Sequence, residues 1–140
     1  MNRTFGKREE HEYTERTGAY IVAIQDGRIA VVRTPKGRFL PGGGIEKGET
    51  RVECIKRECL EETGFAVGDL KYAASADMFC IHQKIGYFHP IQHYYTGRFA
   101  EKKQSPIESD HVLEWIEYSE LKGGMALEMQ NWAIEECWNK

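Results

Sequence analysis

Three glutamates stand close together at the end of a predicted helix, in the segment RECLEETG, Arg57 to Gly64. Residues three and four apart are neighbours on a helix surface, so Glu58, Glu61 and Glu62 converge. Each like-charge pair costs about 0.2–0.5 kcal/mol, and the negative end of the helix dipole adds a similar penalty. Carboxylate oxygens are ligands that Mg²⁺ prefers, so a bound cation would cancel this repulsion. The alternative, without a bound cation, is that the cluster is an ordinary solvated acidic face.

A glycine-rich segment, PKGRFLPGGGIEKGE (Pro35 to Glu49), leads directly into the same helix. Its two prolines and five glycines argue against a regular element, so we expect a loop. Glycine has no side chain to block approach, so the backbone of such a loop can contact a ligand closely. Arg33, Lys36 and Arg38 are placed to assist with phosphate, although each is otherwise an ordinary exposed cation.

The helix that carries the glutamates is predicted over Thr50 to Thr63, because Val52, Ile55 and Cys59 recur on one face. Gly64 follows at the position where a left-handed residue often ends a helix. The apolar face should therefore pack on a core, while the glutamates gather at the helix end.

The other elements surround this helix with strands. Asp26-Gly27 separates two apolar, β-branched segments and predicts a hairpin between Thr17–Gln25 and Arg28–Thr34. Further predicted elements are one or two strands over Phe65–His82, strands Gln92–Ala100 and Val112–Glu117, and a terminal helix Met125–Trp138. This order predicts an α/β (α+β) class with a mixed sheet flanked by helices, in a single domain of residues 1–140.

Composition narrows the function classes. The chain has 140 residues and a formal net charge of −3, so it lacks the basic surface expected of a general nucleic-acid binder. No apolar run approaches the roughly 18 residues that suggest a membrane span, and the polar N-terminus has no apolar signal region. We therefore expect a cytoplasmic protein with no membrane partner.

Together, the loop and the helix carry a known motif. The segment Gly43 to Phe65 resembles the Nudix box over all 23 residues. Cys59 occupies a position where an aliphatic residue is commoner, and it keeps that position apolar. The fixed positions that match are Gly43, Glu49, Arg57, Glu58, Glu61, Glu62 and Gly64.

Resemblance to the Nudix hydrolases implies an α/β/α sandwich and a cofactor, Mg²⁺ or Mn²⁺. It also implies attack by water on a phosphorus of a pyrophosphate, in a nucleoside diphosphate linked to another moiety. Nucleoside triphosphates, oxidised nucleotides, nucleotide sugars and dinucleoside polyphosphates all remain candidate substrates. Two alternatives stay open: a non-catalytic Nudix-like nucleotide-binding or sensor module, and a structural domain with acidic surface charge.

The same resemblance assigns the metal ligands. The carbonyl of Gly42 and the carboxylates of Glu58, Glu61 and Glu62 would hold the cation, with Glu61 a direct ligand or one acting through water. Arg57 would form, with Glu49, the pair that orients these carboxylates.

The remaining roles are more open. Glu58 is the candidate within the box for activating water, and Glu114 is a candidate second acid, with Glu108 and Asp110 as rivals. Arg33, Arg38 and the backbone of Gly43 are candidate substrate contacts.

Substrate choice is less visible in the sequence. Residues 77 to 95 contain many aromatics together with His82, His89 and His93. Aromatic faces can stack on a base, but aromatics that alternate along a strand are more often packing residues. We therefore expect a small nucleotide or nucleotide derivative as partner and no nucleic acid, and a homodimer stays open.

Overall fold

The computed structural model of the protein describes residues 1–139. Its elements alternate between long strands and short connections, with one internal helix and two helices near the C-terminus. In chain order they are β1 Asn2–Phe5, β2 Thr14–Gln25, β3 Arg28–Thr34, β4 Gly37–Phe39, β5 Gly42–Gly44, α1 Arg51–Thr63, β6 Phe65–Met78, β7 Cys80–His82, β8 Gly86–Lys102, β9 Val112–Glu117, α2 Tyr118–Leu121 and α3 Glu128–Trp138.

The longest strand, β8, organises the sheet. It pairs in parallel with β2 and antiparallel with β6, and β1 extends the sheet by a parallel pairing with β6. On the other side, β3 pairs antiparallel with the end of β2 and is flanked by β4 and β9. The sheet is therefore mixed, as the sequence predicts.

Each face of the sheet buries its own apolar cluster, because successive strand residues point to opposite faces. On β2, Ile21 packs in the cluster that includes Ile55 and Cys59 of α1. Its neighbour Val22 packs in the cluster that includes Met129 of α3. We call these two sides the α1 face and the α3 face. Helices on both faces confirm the predicted sandwich of a mixed sheet between helices.

The predicted hairpin is confirmed at its turn. Asp26 and Gly27 both adopt positive φ, at 53° and 74°, as a two-residue type I′ turn requires. Ile24 pairs with Ile29 across the ladder.

Helix α1 begins and ends where the sequence indicates. Thr50 and Glu53 form a capping box, each side chain accepting from the other residue's backbone N–H. Gly64 takes a left-handed conformation at φ 81° and donates its N–H to Leu60 O. These caps fix the register of the helix and therefore the position of its glutamates.

The loop prediction for Pro35 to Glu49 is wrong in part, because two short strands form there. β5 pairs with β2, placing Gly44 opposite Gly18 and Gly42 opposite Tyr20. A Cβ on Gly42 would lie 2.3 Å from Ala19 O on β2, so this pairing depends on a glycine of the segment that argued for a loop.

One additional strand and two element boundaries also differ from prediction. Residues 2 to 5 form a strand that the polar N-terminal sequence did not indicate. The strand predicted over Gln92–Ala100 extends to Gly86–Lys102. The terminal helix starts at Glu128, because Ala126 N–H bonds to Arg38 O of β4 instead of continuing the helix. Within residues 1–139, none of the helices is both long enough and apolar enough to cross a lipid bilayer.

Candidate active site

The glycine strand β5 lies directly against the glutamates of α1. The N–H of Gly42 donates to Glu62 Oε1 at 3.0 Å. A Cβ on Gly43 would lie only 1.7 Å from Glu58 Oε2, so any side chain there would displace that carboxylate. The sequence motif thus has a steric basis, since glycine allows the strand and the helix end to touch.

Arg57 links most of the acidic residues into one network. Its guanidinium donates to both carboxylate oxygens of Glu49, at 2.7 and 3.1 Å, and to Gly44 O at 3.1 Å. The same group lies 3.4 Å from Glu61 and 3.6 Å from Glu58. Hydrogen bonds from Arg57 are the main reason that the pKa of Glu49 is lowered to about 2. Arg57 and Glu49 thus form a bidentate ion pair beside Glu58 and Glu61, and the orienting role that the resemblance implies stays a prediction.

Glu58 is only partly compensated by Arg57, and Glu62 has no cation partner among residues 1–139. Burial raises the pKa of Glu62 to about 8, and the charge of Glu58 adds to the effect, although the Gly42 hydrogen bond opposes it. Burial also raises the pKa of Glu58 to about 7, against the opposing charge of Arg57. Tyr20 lies beside them, and burial together with both glutamates raises its pKa strongly. The helix end therefore holds more negative charge than its protein neighbours neutralise.

This donor set fits a hard divalent cation. Mg²⁺ and Mn²⁺ take oxygen ligands, and Glu58, Glu61, Glu62 and the Gly42 carbonyl supply only oxygen. A cation would also favour the ionised carboxylates that burial and mutual repulsion now disfavour.

Two of the predicted phosphate contacts are occupied by an acid. Arg33 donates to Glu114 at 3.1 Å and Arg38 donates to the same carboxylate at 3.3 Å. Burial acts to raise the pKa of Glu114, but the two arginines outweigh it and the pKa is lowered. Glu114 also pairs with Val31 on the α3 face, whereas its neighbour Trp115 packs on the α1 face. The structure thus brings Glu114 to the arginines, with no hydrogen bond to the box glutamates among residues 1–139.

The rival acids lie in the loop before β9. Glu108 acts on both Glu58 and Glu62, since its charge raises the pKa of each. The ligand atoms of Glu108, Asp110 and His111 lie within 4.8 Å of one another. His111 also lines a recess of about 260 Å³ together with Gly42 and Glu62. His111 could not be found from the sequence, because nothing in its local pattern predicts that this loop folds towards the box.

A larger cavity, of about 410 Å³, adjoins that recess. Tyr20, Lys36 and Phe39 line both spaces, so the two are adjacent. Arg16 and Gln92 also line the larger cavity, and neither was singled out by the sequence. No local pattern indicates Arg16, because its position at the cavity depends on the long-range pairing of β2 with β5.

The three histidines of the aromatic segment have separate environments. His89 is buried, stacked on Phe79 at 4.1 Å and 2.7 Å from Asp77. His93 lies beside Tyr72, and His82 lines the larger cavity. Packing thus accounts for His89, as the alternation of aromatic residues favoured.

Comparison with known proteins decides the family. A model of the NUDIX domain matches residues 14–135. The chain belongs to the Nudix family. This confirms the family resemblance seen in the box and, with the fold described above, the predicted fold class.

The names of two similar proteins state different substrates. The chain is 29% identical over 109 residues to the NAD-capped RNA hydrolase NudC of Haemophilus influenzae, covering 71% of this chain and 39% of that protein. It is 25% identical over 124 residues to the GDP-mannose pyrophosphatase of an Enterobacter species, covering 76% and 62%. The chain thus spans less than two thirds of the length of either relative.

Solved structures agree on the fold. A Nudix hydrolase from Nitrosomonas europaea superposes with a TM-score of 0.77 at 18% identity, covering 90% of each chain. The MutT Nudix hydrolase from Burkholderia pseudomallei gives 0.71 at 22% identity, covering 88% of this chain and 98% of the other.

Proposed function

We propose that this Nudix protein is a divalent-cation-dependent pyrophosphohydrolase. Its substrate would be a nucleoside diphosphate linked to another moiety, and water would attack one phosphorus of the pyrophosphate. The observation that carries this proposal is the convergence of Glu58, only partly compensated by Arg57, and Glu62, which has no cation partner among residues 1–139, against the glycines of β5. The names of the relatives, both hydrolases of nucleotide-derived compounds, support it.

Glu58, Glu61, Glu62 and the Gly42 carbonyl would hold the cation, Mg²⁺ or Mn²⁺. When bound, such a cation neutralises phosphate charge and lowers the pKa of a coordinated water. Glu58 is our candidate for accepting the proton of the attacking water, because a base poised near neutral pH transfers protons efficiently. Arg57 holds Glu49 and restrains Glu58 and Glu61, so its role is positioning.

We place the additional acid at Glu108 in preference to Glu114. Glu108 is close enough to act electrostatically on Glu58 and Glu62, whereas Glu114 is committed to Arg33 and Arg38. For the same reason, Arg16 and Lys36, which line the cavity, are better placed than Arg33 and Arg38 to meet substrate phosphates. Backbone contact with substrate at Gly43 remains part of the proposal.

The test is a screen, with Mg²⁺ and with Mn²⁺, for release of the phosphomonoester or pyrophosphate products, which are resolved by chromatography because cleavage within a pyrophosphate need not free inorganic phosphate. It should include nucleoside triphosphates, oxidised nucleotides, dinucleoside polyphosphates, ADP-ribose, GDP-mannose and an NAD-capped RNA oligonucleotide. We expect cation-dependent release from at least one compound and none from the matched variant Glu62→Gln. A protein that binds nucleotides without cleaving the pyrophosphate would be the non-catalytic module instead.

The RNA arm is included because the prediction of no nucleic-acid partner rests only on the net charge of −3. A cytoplasmic location and a homodimer stay predictions from the sequence.

A further inference from the structure

Gln92 is a buried polar residue at the wall of the larger cavity. It is only 5% exposed, and it lies on β8 on the α3 face. Most of its neighbours in the cavity wall are apolar, among them Phe39, Phe88 and Leu127. A buried amide in apolar surroundings is costly unless its hydrogen bonds are made, so each of its polar atoms needs a partner.

A chain of hydrogen bonds distinguishes the oxygen from the nitrogen of the Gln92 side-chain amide. The backbone N–H of Leu40 can only donate, and it donates to Gln130 Oε1 at 2.8 Å. The other end of that amide, Gln130 Nε2, therefore donates to Gln92 at 3.1 Å, which makes the Gln92 atom the oxygen. Gln130 is completely buried, so water cannot substitute for these partners.

The hydroxyl of Tyr94 donates to the same Gln92 oxygen at 2.8 Å. Both acceptor positions of Gln92 Oε1 are thus used by protein donors. Within residues 1–139, no hydrogen bond uses Gln92 Nε2. The amide therefore offers N–H donors and no acceptor to whatever occupies the cavity.

The rest of the cavity suits one end of a nucleotide. Its apolar and aromatic wall can hold a planar ring, while Arg16 and Lys36 supply positive charge. Arg16 also lies against the glycine strand, 4.0 Å from the position of a Cβ on Gly44. A ligand with its ring in the cavity thus has its phosphates directed towards the box.

We propose that Gln92 is a specificity-determining residue that selects a planar base presenting a carbonyl oxygen at its edge, over one presenting an amino group. This inference rests on the proposed function, because it assigns the base end of the same substrate. A carbonyl accepts from Nε2, whereas an amino group would leave two donors facing each other in an apolar cavity. A buried donor left without its partner weakens binding by about tenfold or more.

The test compares two pairs of compounds that differ chiefly in this exchange. The purine pair is inosine 5′-diphosphoribose and adenosine 5′-diphosphoribose, and the pyrimidine pair is UDP-glucose and CDP-glucose. In each pair the first compound has the carbonyl and the second has the amino group. For each compound, the dissociation constant is measured by calorimetry on the Glu62→Gln protein, and kcat/KM is measured on the wild type. We expect the oxo compound to bind at least about tenfold more tightly in at least one pair.

The variant Gln92→Met, made in the Glu62→Gln protein for binding, keeps the shape of the side chain and removes the donor. We expect it to bring that affinity ratio close to one. The matched control Leu127→Val trims another residue of the same wall, one without a hydrogen-bonding side chain, and should leave the ratio unchanged. Thermal unfolding checks that each variant folds. If Gln92→Met does not fold, the two wild-type kcat/KM ratios still decide, because equal values for both members of both pairs would overturn the proposal.

The outcomes separate the two proposals. Selective binding of the oxo compounds with no hydrolysis would support the role of Gln92 and overturn the hydrolase assignment. Hydrolysis without selectivity, or selectivity that survives Gln92→Met, would overturn the role of Gln92 alone. Failure of all four compounds to bind would also overturn it, since the cavity would then not be a base site.

Discussion

Glutamates on the two faces of the sheet have pKa values shifted in opposite directions. On the α3 face, Glu114 meets Arg33 and Arg38, and its pKa is lowered. At the end of α1, Glu62 accepts one backbone hydrogen bond, meets no cation among residues 1–139, and has its pKa raised to about 8. Both were candidate site residues by sequence. The difference shows that the fold neutralises one acid within the protein and leaves the other without a cation partner among residues 1–139.

The largest expected effect is on catalysis at Glu62. We expect Glu62→Gln to lower kcat by about 100-fold or more, because mutation of groups that merely support metal ligands already costs about 10–100-fold. The amide oxygen can still accept from Gly42, so the fold should be retained. Steady-state kinetics with saturating Mg²⁺ measures this, and Glu117→Gln, an exposed acid on β9, is the matched control. Wild-type turnover in Glu62→Gln would contradict the site.

The second effect tests how closely β5 approaches α1. Gly43→Ala would place a methyl group on the carboxylate of Glu58, so the side chain must move away from its position. We expect a loss of about 10- to 100-fold in kcat, a loss of the size produced when the support of a metal ligand is disturbed. Gly68→Ala, where a Cβ meets no atom within 4 Å, is the matched glycine control. Equal kcat values for the two variants would show that the close approach of Gly43 to Glu58 does not affect catalysis.

The third effect is on stability and its pH dependence without metal. The pKa values of Glu58 and Glu62 are raised in the folded protein to about 7 and about 8, from 4.5. The folded state therefore holds protons that the unfolded state has released. Their contribution to stability is complete below pH 4.5 and is lost as pH rises through 7 to 8.

Chemical unfolding in EDTA should measure this loss. Each unit of pKa shift corresponds to about 1.4 kcal/mol, so we expect a decrease of a few kcal/mol between pH 5 and pH 8.5. The decrease should be smaller in Glu62→Gln, which has no charge to bury, and smaller again when Mg²⁺ is added. A wild-type profile that matches that of Glu62→Gln would contradict the raised pKa.

The smallest effect is expected at Glu114. Glu114→Gln weakens its interactions with Arg33 and Arg38, and we expect a loss of about 0.5–1 kcal/mol in stability with less than about threefold change in kcat. Thermal unfolding and kinetics under the same conditions measure both. A loss of activity as large as that of Glu62→Gln would restore Glu114 to the catalytic site.

Much of this could be predicted from the sequence, where local signals were strong. The hairpin follows from Asp26-Gly27, and the helix bounds follow from Thr50 and Gly64. The spacing of the box brings its residues together, because helix geometry alone makes Glu58, Glu61 and Glu62 neighbours.

Long-range pairings could not be predicted in this way. The register of β3 against β4 and β9 decides whether Glu114 lies beside Arg33 and Arg38 or beside the box. No local sequence pattern encodes that register. The orientation of Gln92 depends on Gln130, 38 residues away in the chain. The short strand β5 was missed because its glycines are typical of loops, whereas here they permit close pairing with β2.

The central claim is that a divalent cation supplies the positive charge missing at the end of α1. Calorimetric titration of the metal-free protein with Mg²⁺ at pH 8.5 and pH 6.5 tests it most directly. We predict saturable binding at pH 8.5 that is weaker at pH 6.5, where protons compete, and at least about tenfold weaker in Glu62→Gln. Equal affinity in the wild type and Glu62→Gln, or no binding in either, would contradict the claim.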